Sequence, residues 1–340
     1  MNVFLFHPEE YGSLYNCTGI DTSTLGISNV PLGAFYIIVG LMLEVLYAPC
    51  MYVLWQPNLR QNSCHKIMFL LGFLDMCTLS VNSILTGFLS IEGAVFCDHP
   101  RFIYVVGSVV LGLWCATCAM SVTLGINRTI DLWFPDLMAF LFNGKKTYFW
   151  CMLPFIYGGW YTWYTRPVAY SSYAWAWFFD PYFAIESIKV DRDPYENVYH
   201  AMHNTATVFA ICGLYLLLTF SVWWKCRKTN LRNQTVTQVQ KQIIFQSCMI
   251  CFFNLGAAFV YVYMQYFPTP TWLIVLGQST WIGCHGGAVI VYLGFNKTIR
   301  NGVFQLVRKE STQSKHTIIV TTVATNSITP YVAQQMDMAE

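Results

Sequence analysis

Charged side chains are scarce in this sequence. Asp, Glu, Lys and Arg make up 11% of its 340 residues, against about 25% in an ordinary soluble domain. A disordered chain is excluded, because disorder needs charge and few aromatics, and here aromatics reach 17%. A net charge of +2 with no basic domain excludes a nucleic-acid binder held by phosphate contacts. Lysine and arginine are missing altogether before Arg60. The short Phe4-Leu5-Phe6 run, followed by Glu9 and Glu10, therefore lacks the basic start of a cleaved signal peptide. The first long apolar run is expected to direct insertion and to stay. No lysine falls in the middle of an apolar run, which excludes a retinal pigment, since its chromophore needs a lysine within a helix.

What the sequence has in quantity is apolar residues, 55% of the chain. A soluble protein of this composition would expose patches large enough to aggregate, so the fitting solvent is a bilayer. A helix needs about 20 apolar residues to cross a hydrocarbon core about 30 Å thick. Seven runs qualify, at 31–54, 67–91, 102–126, 148–166, 200–224, 242–264 and 271–295. The fourth is interrupted by Pro154, Gly158 and Gly159. Barrel strands would be about 9–11 residues long with alternating polarity, and runs such as Ile37-Ile38-Val39-Gly40-Leu41 do not alternate. The expected fold class is an all-α membrane protein, a seven-transmembrane helix bundle. Segment 1–30 precedes the bundle of 31–295. Ile299, Val303, Phe304, Leu306 and Val307 then form an apolar stripe beside Arg300, Arg308 and Lys309. That pattern predicts an amphipathic membrane-surface helix over 296–309. The Ser/Thr-rich stretch 310–340 is expected to be a disordered cytoplasmic tail, and reads equally well as a phosphorylation substrate and as an unmodified solvated tail.

The few charges sort by side. With seven spans and the N-terminus outside, only Arg101, Arg166, Lys189 and Arg192 lie outside, and the other 15 of the 19 basic residues lie inside. Basic residues collect on the cytoplasmic side, so the expected orientation is N-terminus out and C-terminus in. Of 13 cysteines, only Cys17 and Cys97 fall in outer segments. The outer side is oxidising, so a Cys17–Cys97 bridge is expected, two free or intermolecular thiols being the alternative. The Cys115–Cys118 and Cys248–Cys251 pairs read as intramembrane packing residues. Asn16-Cys17-Thr18 matches the N-glycosylation pattern on the outer side.

Two acids, Glu44 and Asp75, lie at span depth. Each costs roughly 2.5–3.5 kcal/mol near a helix centre on insertion scales, so both are expected to face the bundle interior. Asp75 reads equally well as a switch or ion-linked site and as a structural hydrogen-bonding group with a neighbour such as Asn82. The loop between the fourth and fifth runs holds Tyr170, Tyr173, Trp175, Trp177, Phe178, Phe179, Tyr182 and Phe183. These suit an interfacial belt, the favoured reading, or an apolar lid over a small molecule. Candidate pocket residues on the outer halves of the helices are Tyr104, His203, Asn204, Tyr263, Trp272, Gln278 and Trp281. His200 and His203 stand one helical turn apart, and His285 lies in the seventh run. With the two acids they would be the ligands of an intramembrane zinc hydrolase, although lone histidines read better as satisfied polar residues.

Seven spans, Arg128 at the inner end of the third, and a surface helix after Tyr292 together resemble a rhodopsin-like G-protein-coupled receptor. Asp75 stands at the place of that family's helix-two aspartate. Asn127-Arg128-Thr129 keeps only the arginine of its Asp-Arg-Tyr box, and Ala288-Val289 replaces its Asn-Pro. The helix-six Cys-Trp-x-Pro motif is absent, and the second outer loop has no cysteine. These departures resemble the nematode serpentine receptor class T chemoreceptors. The matching stretches include Tyr15-Asn16-Cys17-Thr18, Glu44-Val45-Leu46-Tyr47-Ala48-Pro49-Cys50, Gly72-Phe73-Leu74-Asp75-Met76 and Ile126-Asn127-Arg128-Thr129-Ile130-Asp131-Leu132. The resemblance implies a plasma-membrane chemosensory receptor in a sensory cilium. It binds an extracellular small molecule or peptide and signals to a heterotrimeric G protein, with Asp75, Asn127, Arg128 and Tyr292 as activation-switch residues. It implies no enzyme, cofactor or metal. A ligand-gated channel or the zinc hydrolase is the alternative.

Overall fold

The apolar runs fold as helices. The computed structural model describes residues 1–185, 188, 190–228, 249, 252–264 and 266–308. Most of the predicted third inner loop, Cys248, Cys251 and the tail 310–340 lie outside them. The long helices, numbered in chain order, are α1 (Val30–Leu54), α2 (Ser63–Glu92), α3 (Pro100–Trp133), α4 (Lys146–Tyr164), α5 (Val198–Lys228), α6 (Phe252–Met264), α7 (Thr271–Gly294) and α8 (297–308). Their starts are encoded locally. Asn29 caps α1, its Oδ1 accepting from Leu32 N at 3.1 Å, and Asn62 caps α2, accepting from Cys64 N at 2.8 Å. Pro100 opens α3 at a position where no N–H is required.

Among the described residues five helices, α1, α2, α3, α5 and α7, are long and apolar enough to cross a membrane. The 19-residue α4, which carries several Tyr and Trp with Pro154 and two glycines, is not among the five. It stands where the fourth run was predicted, and α6 covers the outer part of the sixth. Outward faces are oily: Ile38, Val45, Phe149, Ile156, Phe209 and Leu216 are all exposed. Backbone groups satisfied within helices and an apolar exterior are what a bilayer requires.

The central helix is α3, packed against α2, α4 and α5. It runs on past Arg128 to Trp133, because no breaker occurs before Phe134-Pro135. Arg128 is therefore inside the helix, one turn short of its end, rather than at the predicted boundary near 126. Helices α3 and α4 touch through Gly112 and Gly158. A Cβ at Gly158 would sit 2.4 Å from the Gly112 carbonyl oxygen, whereas one at Gly159 would meet nothing within 4 Å. Small residues let membrane helices approach this closely. Gly158→Ala is therefore expected to cost about 1–3 kcal/mol through overpacking. Gly159→Ala should be neutral or mildly stabilising. Thermal unfolding in detergent compares the two, and equal losses would contradict the crossing.

Helix α2 contains a π-helical turn, Ser80–Leu85. The turn leaves carbonyls for partners other than the usual helical N–H: Gln278 Nε2 on α7 donates to Asn82 O at 2.6 Å, and Thr86 Oγ1 donates to Val81 O at 2.8 Å.

The long loop after α4 corrects two expectations. It contains an antiparallel hairpin, β1 (Ala169–Ser171) and β2 (Ala176–Phe178), with Tyr170 opposite Trp177. The chain is thus mostly helical but not all-α. The hairpin's six strand residues are buried, and so are Phe179 and Tyr182. Five of the eight loop aromatics thus pack inward instead of forming a belt. Their polar ends explain why. Tyr170 OH lies 2.7 Å from Ser90 Oγ, and Trp177 Nε1 donates to Thr86 Oγ1 at 2.8 Å. Both partners are on α2, so the loop is bolted onto the helix ends.

The N-terminal segment lies over the same end. Short helices Asn2–Phe6 and Pro8–Leu14 bring Tyr11 and Tyr15 against Tyr104, with ring centroids 5.1 and 4.9 Å apart. A disulfide joins Cys17 to Cys97. Tyr182 OH donates to Asn16 O at 3.0 Å, and Tyr195 OH donates to Leu14 O. Asn16 itself is exposed. At the opposite end, Ile299, Val303 and Leu306 of α8 turn toward the bundle, while Phe304 and Val307 stay exposed.

Candidate functional site

Two cavities follow one another along α3. The upper one, beneath the hairpin, is small, with a volume of about 20 Å³. Leu111 and Trp114 of α3, His200 and Asn204 of α5, Ala257 and Tyr261 of α6, and Trp281 of α7 form its walls, with Val168 and Trp177 over them. The lower one has a volume of about 30 Å³ and is lined by Asp75, Thr117, Ser121, Asn254 and Tyr292 among others. Trp114 lines both. Its Nε1 donates to Asn204 Oδ1 at 2.9 Å, and its ring meets those of Trp281 and His285 edge-on at 6.4 and 5.8 Å.

Beside the lower cavity lies a buried polar pair. Asp75 Oδ1 is 2.8 Å from His285 Nδ1. The Tyr47 hydroxyl lies 3.0 Å from Asp75 Oδ2 and 2.6 Å from the His285 carbonyl oxygen. The pair fastens α2 to α7, with α1 closing over it. Asp75 is 2% exposed and His285 0%. Asn82, the partner weighed from the sequence, takes no part: its side-chain nitrogen and oxygen have no hydrogen-bond partner among the described residues.

Of the seven pocket candidates, Asn204 and Trp281 line the upper cavity. Gln278 is one step behind it, accepting from Tyr261 OH at 2.7 Å. The others lie elsewhere. Tyr104 is capped by the N-terminal aromatics. His203 turns to α4, with its Nδ1 2.9 Å from Tyr157 OH. Tyr263 stacks between Phe259 and Phe267 along an outward groove between α5 and α6, and Trp272 is 68% exposed. Glu44 is a further correction, because it does not reach the interior. It is half-buried on the α1–α2 flank, within 3.4 Å of Ser80 Oγ.

The sequence reading passed over Trp114 and Tyr261, and took Trp177 as a loop aromatic and His200 as a possible metal ligand rather than as cavity walls. A helical period marks a buried face but not which part of it borders a void. Asn127 is fully buried and donates to Ser63 Oγ at 3.1 Å, tying α3 to the start of α2. Arg128 Nη2 lies 3.7 Å from Met68 Sδ. Asp75 and Tyr292 share the lower cavity, where the Tyr292 and Thr117 hydroxyls have no partner among the described residues.

Toward the hairpin end a cleft of about 300 Å³ shares Trp177 and Tyr261 with the upper cavity. Asp180 and Arg192 form an ion pair at its edge. Burial pushes the Asp180 carboxyl above its ordinary range, opposed by the Tyr182 N–H and by Arg192. Among the described residues no three His, Cys, Asp or Glu side chains converge as metal ligands. His200 faces the upper cavity and His203 faces α4, so the two do not form half of a zinc site.

The sequence matches, over residues 2–316, a family model described as Serpentine type 7TM GPCR chemoreceptor Srt. It is also similar to Serpentine receptor class T-55 of Caenorhabditis elegans. The two are 23% identical over 322 residues, which cover 93% of this chain and 86% of the relative.

Proposed function

Because the chain belongs to the Srt family of serpentine 7TM chemoreceptors, an integral membrane protein family, we propose that it is a chemosensory G-protein-coupled receptor. It crosses the bilayer seven times, with the hairpin and N-terminal segment outside and α8 on the cytoplasmic leaflet. It serves as a receptor rather than an enzyme, at the plasma membrane of a sensory cilium. A Cys17–Cys97 bridge and a glycan on Asn16 belong to its outer face. The observation that carries this reading is the match to that family over residues 2–316; Trp114, which borders both the small upper cavity and the Asp75 cavity, is its structural counterpart.

A ligand shifts the bundle only if it binds the active arrangement more tightly. Pressure on Trp114 bears on the His285 ring and so on the Asp75 pair. Tyr292 shares that lower cavity, and Arg128 and Asn127 lie farther toward the cytoplasmic end, where the inner loops meet a heterotrimeric G protein. Expression in cells reporting calcium or cyclic nucleotides, challenged with an odorant panel, tests the proposal. With an active ligand in hand, Arg128→Ala is expected to weaken potency about tenfold, toward the low end for a coupling free energy, with surface expression retained. An unchanged response would remove Arg128 from the switch.

A further inference from the structure

Resting on that receptor reading, we propose that the cleft at the hairpin end takes a small organic cation, an amine or quaternary ammonium, from the outer side. Its space of about 300 Å³ is at the lower bound for ligand pockets. Eight of its fourteen described lining residues are Phe, Tyr or Trp. Three of these rings have their polar ends engaged elsewhere. Trp177 Nε1 donates to Thr86 Oγ1 at 2.8 Å, Tyr195 OH to Leu14 O, and Tyr261 OH to Gln278 Oε1 at 2.7 Å. What they offer the cleft is ring surface, and the negative face of an aromatic ring attracts a cation.

The charged residues fix the sign of the ligand. Among the described lining residues Arg192 is the basic one, and it is already occupied. It pairs with Asp180, and its Nη2 lies 3.5 Å from the Ile185 carbonyl oxygen. Asp193 and Glu196 also line the cleft, are exposed, and make no ion pair among the described residues. They are the surplus. The stretch 180–196 has five acids, Asp180, Glu186, Asp191, Asp193 and Glu196, against Lys189 and Arg192, a net charge of −3. Such a field concentrates cations at the mouth. An anion would meet carboxylates and ring faces of its own sign. A hard metal ion would need converging oxygen ligands, and among the described residues no three His, Cys, Asp or Glu side chains converge. Trp177 and Tyr261 also wall the small upper cavity, so an occupant of the cleft presses on the residues that surround Trp114.

The test uses the full-length protein in maltoside detergent, which brings no cationic headgroup of its own. It reads the shift in thermal unfolding midpoint, which reports binding without signalling. The probes are choline, its uncharged carbon isostere 3,3-dimethylbutanol, the anion 3,3-dimethylbutanoate, and glycerophosphocholine, a lipid headgroup without its chains. Choline is expected to raise the midpoint saturably at about one-tenth the half-maximal concentration of dimethylbutanol. Dimethylbutanoate should give no shift, and neither should glycerophosphocholine, whose phosphate meets the surplus carboxylates. The paired change Asp193→Asn/Glu196→Gln keeps the shape of the mouth and removes its charge. It should raise choline's half-maximal concentration about 3- to 10-fold and leave dimethylbutanol's alone. Met264→Arg, which places a tethered cation in the cleft, should abolish the choline shift. The proposal is overturned by equal binding of dimethylbutanol, by preference for the anion, or by glycerophosphocholine binding as tightly as choline. It is equally overturned by no saturable shift at millimolar choline, by a choline affinity that the paired change leaves unaltered, or by a choline shift that survives Met264→Arg. Choline binding without a G-protein response to any organic cation would defeat the receptor reading alone. A G-protein response confined to uncharged or anionic molecules would defeat this proposal alone.

Discussion

Replacing His285 with alanine is expected to destabilise the folded protein by about 3–5 kcal/mol, the usual consequence of stripping the partner from a buried charge. Asp75 is buried between α2 and α7, and the His285 ring supplies its 2.8 Å contact. With the carboxylate ionised, the proton between them must be on Nδ1, since a carboxylate only accepts. Alanine leaves Tyr47 as the sole remaining partner among the described residues, and the Tyr47 hydroxyl is also within 2.6 Å of the residue-285 carbonyl. The lost ring also opens a void against Trp114. Asp75→Asn tests the cause, because the amide keeps the shape and removes the charge. If an unpaired charge is the problem, adding Asp75→Asn to His285→Ala should recover about 1–3 kcal/mol. Thermal unfolding of the four members of this cycle in detergent measures the coupling. Additive losses would mean that the two residues merely fill space.

The second large effect is expected at Cys17 and Cys97. The paired substitution Cys17→Ser/Cys97→Ser should cost about 2–4 kcal/mol, the usual range for removing a disulfide. The lower half of that range is the better expectation. The cross-link spans 80 residues, but α1 and α2 stay helical in a bilayer even when the bundle comes apart, so less chain entropy is released than in water. The loss should be local in its signs. Tyr15, Phe96 and Tyr182 pack around the bridge, and the Tyr182 and Tyr195 hydroxyls hold the chain at Leu14 and Asn16. Limited proteolysis between Gly19 and Val30 should therefore accelerate well before the helices melt. Unchanged cleavage there would show that the aromatic cluster alone holds the segment.

The sequence makes some of this architecture legible and hides the rest for identifiable reasons. Apolar runs locate the helices because bilayer thickness fixes their length. The runs at 31–54 and 271–295 agree with α1 and α7 to within a residue at each end. Placement of pocket residues fails where it depends on helix rotation. Trp272 and Trp281 are both large aromatics in one span, yet one faces outward and the other borders the cavity. The partner of Asp75 fails for another reason. Asn82 lies on the same helix, but the π turn at Ser80–Leu85 changes the register there, and the true partner is 210 residues away. The aromatic loop misleads because composition cannot distinguish rings that meet lipid from rings that meet Ser90 and Thr86.

Trp114 is the only described residue shared by the linings of the two cavities. Positions such as Leu111, Val168 and Ala257 border the upper chamber alone, so changes there alter what fits without touching the Asp75–His285 pair. On the proposed receptor reading, what is detected and how detection is converted to a response are then separable under selection. A repertoire of receptors can diverge from one ancestor by redrawing the upper walls while inheriting the lower machinery intact, with a single indole answerable to both.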